Sequence, residues 1–187
     1  MHAPSGPRRV GPRFVRLAAL FYGLLTLAAA TFGAFRGRNV FALGDRPLAD
    51  LALGLTVACG TVALGVALYR LAPALREISK DLGPRVVDGT TRGDLVLVSV
   101  FSGVGEEALF RGALQPEIGL IAASLLFGAA HVGPDRRYLV WTLWAVGAGF
   151  LFGALSEWTG ALLAPIVAHA AHNAATLLLW KWSRGKN

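Results

Sequence analysis

Charge is what this sequence has least of. Only 16% of its 187 residues are Asp, Glu, Lys or Arg, against about 25% in soluble domains. Hydrophobic residues make up 55%, and mean hydropathy is +0.55. That balance argues against a water-soluble globule. Cysteine is nearly missing: Cys59 stands alone, which excludes an intrachain disulfide and any cysteine metal cluster. Set inside an apolar run, Cys59 reads as a small buried hydrophobe. Acid is scarce relative to base, with 11 Asp and Glu against 18 Lys and Arg. In a soluble protein that surplus would suggest nucleic acid. Here the basic residues fall between apolar runs rather than along one stripe, which speaks against nucleic acid and for a lipid bilayer. No internal repeat or low-complexity tract stands out, and the length fits one domain.

Six apolar spans are expected: Val15–Phe35, Leu48–Tyr69, Asp94–Gln115, Glu117–His131, Arg137–Ser156 and Gly160–Trp180. A crossing helix needs roughly 20 apolar residues; the fourth span is shorter. The first follows Arg8, Arg9, Arg13 and Arg16 but is too long for a signal-peptide core of roughly 7–15 residues. Grouping alternate connecting segments places fourteen basic residues on one side and three on the other, with Arg111 inside a span. The richer side carries both termini and is expected to be cytoplasmic. Trp158, Trp180 and Trp182 end spans, at headgroup level. Leu71, Leu75, Ile78 and Leu82 recur at helical spacing among charged residues, as in a short amphipathic helix lying on that surface. The expected architecture is an all-α integral membrane protein of about six transmembrane helices around a polar cavity. It forms a single membrane domain over residues 1–187: the N-terminal helices and surface helix over 1–93, and a core over 94–180.

The informative residues are those lipid should reject. Glu106, Glu107 and Arg111 lie in the third span. Asp or Arg at a helix centre costs roughly 2.5–3.5 kcal/mol on insertion scales, so such groups must be paired, hydrated or neutralised. Glu107 and Arg111 are four apart and can meet on one helix face. Glu106 is the surplus acid, about 100° around the helix, and has reason to be the more basic carboxylate. Phe127 and His131 share a face at the end of the fourth span. His169 and Asn173 share a face of the sixth, with His172 close by. One polar group suffices to glue helices together; three within five residues favour a site. Asp94, Glu117 and Glu157 fall at span ends and are expected at the interface. Gly103, Gly105, Gly112 and Gly128 flank the polar residues and should permit close helix approach. Ser102 reads as a helix-packing hydroxyl.

Three patterns now stand in order: Glu106-Glu107-Ala-Leu-Phe-Arg111, Phe127-Gly-Ala-Ala-His131 and His169-Ala-Ala-His-Asn173. The chain is similar here to the CPBP family, the CAAX-protease and bacteriocin-processing (Abi) membrane proteins. That family's motifs are Glu-Glu-x-x-x-Arg, Phe-x-x-x-His and His-x-x-x-Asn. The resemblance spans Asp94 to Trp180, and the first two spans carry no recognised motif. It implies an intramembrane glutamic endopeptidase with a conical cavity opening to the cytoplasm. Glu106 would activate water and Glu107 would orient or tune it. Arg111 would hold the acidic pair, His131 would position the water, and His169 and Asn173 would stabilise the oxyanion. His172 is a candidate for a supporting role.

No cofactor is expected. Zinc is the alternative, since Glu and His can ligate it, but the candidate ligands come from three helices and no His-Glu-x-x-His pattern exists. The expected substrate is a membrane-associated protein or peptide, cut in precursor processing or C-terminal sorting, at a prokaryotic inner membrane. Competing functions are a non-enzymatic binding or bacteriocin self-immunity protein, and a transporter or proton relay. Six spans without paired halves argue against the last.

Overall fold

The computed structural model describes residues 11–42 and 44–184; Arg8, Arg9 and Lys186, counted above for topology, lie outside them. The described residues form helices and connections, with no strand among them. The helices are α1 (Gly11–Phe35), α2 (Pro47–Leu71), α3 (Pro73–Val86), α4 (Arg92–Glu107), a π-helical segment (Ala108–Leu114), α5 (Gln115–Ala129), α6 (Leu139–Thr159) and α7 (Leu163–Arg184). A single 3₁₀ turn, Arg136–Tyr138, leads into α6.

Five stretches are long and apolar enough to cross a membrane: Arg13–Phe35, Pro47–Leu71, Arg92–Ala129, Arg136–Thr159 and Leu163–Arg184. The third combines the third and fourth expected spans but is not straight. Gly119 has φ 80° and ψ 165°, a conformation essentially reserved for glycine. The chain turns back there. Phe110 and Phe127 meet with ring centroids 5.0 Å apart, whereas 17 positions along a straight helix would separate them by roughly 25 Å. Beyond Gly119 the returning arm has too few residues to traverse about 30 Å of hydrocarbon. It descends only to the depth of Glu106, where His131 ends it.

The interior and exterior are inverted relative to a soluble protein. Leu17, Leu20, Phe21, Leu24 and Leu27 of α1 and Leu48, Leu51, Leu55 and Leu64 of α2 face outward, while Glu106, Glu107, Arg111, Gln115 and His169 are buried. An apolar surface this extensive needs lipid against it. Cys59 corrects the sequence reading. It is exposed, because α2 turns Gly54, Ala58 and Thr61 inward and leaves Cys59 on its outer side.

Pairing between helices defines two ends. At one, Arg36 and Arg38 donate to Glu117 at 2.6–3.0 Å. At the other, Lys181 donates to the Thr90 carbonyl at 2.7 Å and Arg184 to Asp88 at 2.6–2.8 Å. The Arg184 guanidinium holds the Asp88 carboxyl below its ordinary range. Arg137 reaches Asp81 of α3 at 3.0 Å, so the α6 approach joins that second end. The second and fourth connecting segments and the end of α7 therefore share one side, as the basic-residue pattern requires. The expected surface helix is α3, which packs against α2, α6 and α7 with Ile78 buried beneath it.

Small residues let the helices approach. A Cβ at Gly103 would sit 2.9 Å from the Ala170 Cβ and 3.0 Å from the Ala170 nitrogen on α7. Gly105, Gly112 and Gly128 similarly face Tyr22, Val40 and Val146. Gly103→Ala should thus destabilise the protein by about 1–3 kcal/mol through overpacking. Gly60→Ala, where a Cβ meets nothing within 4 Å, should be neutral or slightly stabilising. Thermal unfolding in detergent distinguishes the two.

Candidate active site

α4 begins firmly. The Thr91 side chain accepts from the Asp94 amide at 3.0 Å, and the Asp94 carboxylate accepts from the Thr91 amide at 2.7 Å, a capping box that places Asp94 at the helix mouth. Glu106 and Glu107 follow about 20 Å deeper. They point to different neighbours, as the 100° step requires.

Glu107 is fully buried. Arg111 approaches both of its oxygens at 3.2 Å, and His169 Nδ1 lies 2.7 Å from Oε1. With the carboxylate ionised and paired to Arg111, His169 donates from Nδ1. Its Nε2 can then donate elsewhere only as the imidazolium. The His169 ring stacks on Phe152 at 5.3 Å, and the Arg111 guanidinium lies 4.3 Å from the Phe127 ring centroid. Arg111 also donates to the Gly149 carbonyl at 3.1 Å. One turn later, Gln115 donates to the Gly153 carbonyl at 3.1 Å and to Glu157 at 3.0 Å. Two side chains four apart thus meet two carbonyls four apart on α6. The π-helical segment that carries Arg111 follows Glu107 directly; such segments recur at functional sites.

Glu106 turns towards α5. Its Oε2 is buried without a hydrogen-bond partner and lies 3.8 Å from His131 Nε2, beyond direct hydrogen-bond range. His131 Nδ1 sits 2.7 Å from the Phe127 carbonyl. A carbonyl only accepts, so Nδ1 carries a proton, and in the neutral ring Nε2 is then a lone pair directed towards Glu106. A water touching both groups would donate one O–H to each and keep its own lone pairs free.

Asn173 is oriented by a chain of defined direction. Ser102 Oγ donates to the Ser99 carbonyl at 3.1 Å, so it accepts from Asn173 Nδ2 at 3.0 Å. One N–H of the amide remains available. Ser102, expected only to pack, sets which way Asn173 faces. His172 is similarly fixed: Thr61 donates to the Ala58 carbonyl and accepts from His172 Nδ1, each at 3.0 Å, with Trp144 5.6 Å from the His172 ring.

All six sequence-derived candidates therefore gather in one region, drawn from α4, the π segment, the end of α5, and α7. The sequence reading missed Thr61 and Tyr22, the latter a half-buried phenol on α1 in electrostatic contact with Glu106. Neither lies in a motif. The available signal was a polar group on an otherwise apolar helix. Among the described residues, no three His, Cys, Asp or Glu side chains form a metal-ligand cluster.

Removing one partner of a buried ion pair strands the other charge, at about 3–5 kcal/mol. Arg111→Met should show that loss in detergent unfolding, and adding Glu107→Gln should recover part of it. Strictly additive losses would contradict the pairing.

The family described as type II CAAX prenyl endopeptidase Rce1-like matches residues 89–175, the region holding all six candidates. The uncharacterized protein YpbD of Bacillus subtilis (strain 168) is 31% identical over 150 residues, covering 78% of this chain and 79% of that protein. No solved structure matches the chain. With its motifs assembled in a multi-pass membrane fold, the chain belongs to the CPBP family, the CAAX-protease and bacteriocin-processing membrane proteins.

Proposed function

We propose that the protein is an intramembrane glutamic endopeptidase that hydrolyses a peptide bond in a membrane-associated protein or peptide. The observation that carries this reading is the unpartnered Glu106 Oε2 facing the His131 Nε2 lone pair at 3.8 Å. In this mechanism a water donates to both groups. Its oxygen attacks the scissile carbonyl carbon while Glu106 takes its proton. The oxyanion receives the free N–H of Asn173 and, with the ring as imidazolium, Nε2–H of His169. Collapse breaks the C–N bond, and Glu106 returns the proton to the leaving amine. Glu107 and Arg111 hold His169 in place. A general base contributes typically 10²–10⁴-fold and an oxyanion donor about 10²–10³-fold.

The reaction is written through water and protein groups alone, without metal. The excess of Lys and Arg on one side supports placing both termini, α3 and the α5–α6 connection on the cytoplasmic side of a prokaryotic inner membrane. Candidate roles are precursor processing and C-terminal sorting.

Comparing protein termini in membranes from cells carrying the wild-type chain or Glu106→Gln tests the proposal. New termini should appear only with the wild type, and the uncut precursor should accumulate at equal membrane levels of the variant. His131→Ala should match Glu106→Gln, and Asn173→Ala should retain roughly 1% or less of the rate. Chelators should leave cleavage by the purified protein unchanged. Loss on chelation that zinc restores would replace this mechanism with metal-assisted hydrolysis. Wild-type biological activity in both the Glu106 and His131 variants would make the protein a binding factor.

A further inference from the structure

α1 lies outside residues 89–175, the part matched by the family, yet it reaches the reacting carboxylate. It does so at Gly105, the residue before Glu106. A Cβ there would lie 2.8 Å from the Tyr22 carbonyl oxygen and 3.1 Å from the Tyr22 Cβ. The missing side chain lets the α1 backbone come close enough for a side chain of α1 to reach the next residue of α4. Tyr22 is turned inward and half-buried, whereas Leu20, Phe21 and Leu24 around it face outward. Phe21 and Tyr22 meet edge-on at 5.1 Å, but only Tyr22 carries a hydroxyl. A hydroxyl at this depth is costly without a partner, and the partner it faces is Glu106.

We propose that Tyr22 is a positioning residue for Glu106: its hydroxyl donates to one carboxylate oxygen and so holds the other, Oε2, towards His131 Nε2. This rests on the reading of Glu106 as the base. An ionised carboxylate only accepts, so the phenol must be the donor. Oε2 has no hydrogen-bond partner, which assigns the phenol to Oε1. The groups around Glu106 then divide the work. Arg111 and Glu107, on its own helix and the segment that follows, form a closed pair whose remaining donor is His169 of α7. His131, two residues past the end of α5, faces Oε2. Tyr22 of α1 is left as the donor that fixes the carboxyl plane. A carboxylate without such a tether can rotate about its last side-chain bonds, and water held between it and His131 would lose its alignment.

The test needs no substrate, so it stands or falls separately from the peptidase reading. Full-length protein in nanodiscs is examined by infrared spectroscopy. The Glu106 carboxylate bands are identified by their loss in Glu106→Gln. Tyr22→Phe keeps the ring and removes only the hydroxyl. Its Glu106 carboxylate bands should shift in frequency, because one oxygen loses its donor. Gly105→Ala, which presses α1 away while keeping the phenol, should shift them in the same direction. Phe21→Leu, on the outward side of α1, should leave them in place. The proposal is overturned if the bands of Tyr22→Phe match the wild type, or if Phe21→Leu shifts them equally, since the effect would then be helix packing. Should a cleaved peptide be in hand, Tyr22→Phe should lower kcat with little change in KM, and an unchanged kcat would also overturn it.

Discussion

A carboxylate with no access to water has to be given its donors by the protein, and Glu107 sets that requirement here. Moving an ion of this size into an apolar interior costs several kcal/mol even after relaxation. Arg111 and His169 meet the demand from two directions, at 3.2 and 2.7 Å. To do so, α7 must pack directly on α4, which needs Gly103 opposite Ala170. Arg111 must in turn place its remaining N–H against a bare carbonyl of α6, which Gly149 supplies. The buried triad therefore fixes the relative positions of three helices before any substrate is considered.

Beside the triad, neighbouring elements shape the surroundings of Glu106. Gly119 reverses the chain so that His131 returns to the depth of Glu106. The two adjacent acids then differ by environment: Glu107 lies between the Arg111 guanidinium and the His169 ring, while Glu106 faces the His131 ring of the returning arm. Like-charged neighbours with different surroundings can take different roles. The same logic reaches Asn173, whose amide is oriented by Ser102 and Ser99 rather than by another motif residue.

Much of this was legible in the sequence because polar groups inside apolar runs are conspicuous, and their i to i+4 spacing survives folding. Glu107 meets Arg111, and Phe127 meets His131 with ring centroids 4.6 Å apart, as local spacing requires. The basic-residue asymmetry grouped the connecting segments as the pairing of Arg184 with Asp88 and of Arg36 with Glu117 groups them. The rest depends on contacts between distant positions. Nothing near Tyr22 or Thr61 announces that one will face Glu106 and the other His172. The π-helical segment has no composition of its own. The fourth span looked like a crossing helix until the backbone of Gly119 showed it to be a short returning arm. Cys59 misled because its apolar neighbours suggest burial equally well on the lipid-facing side of α2 and on its protein side.

The central claim is that Glu107 holds His169 through a direct bond from Nδ1 while leaving His131 to a separate partner. Selective ¹⁵N labelling of the histidines, followed by NMR in micelles, reads this directly. His169 should show a protonated, strongly hydrogen-bonded Nδ1 that weakens in Glu107→Gln, while the protonated Nδ1 of His131 stays as it was. An unaltered His169 signal in that variant, or an equal change at His131, would contradict the account.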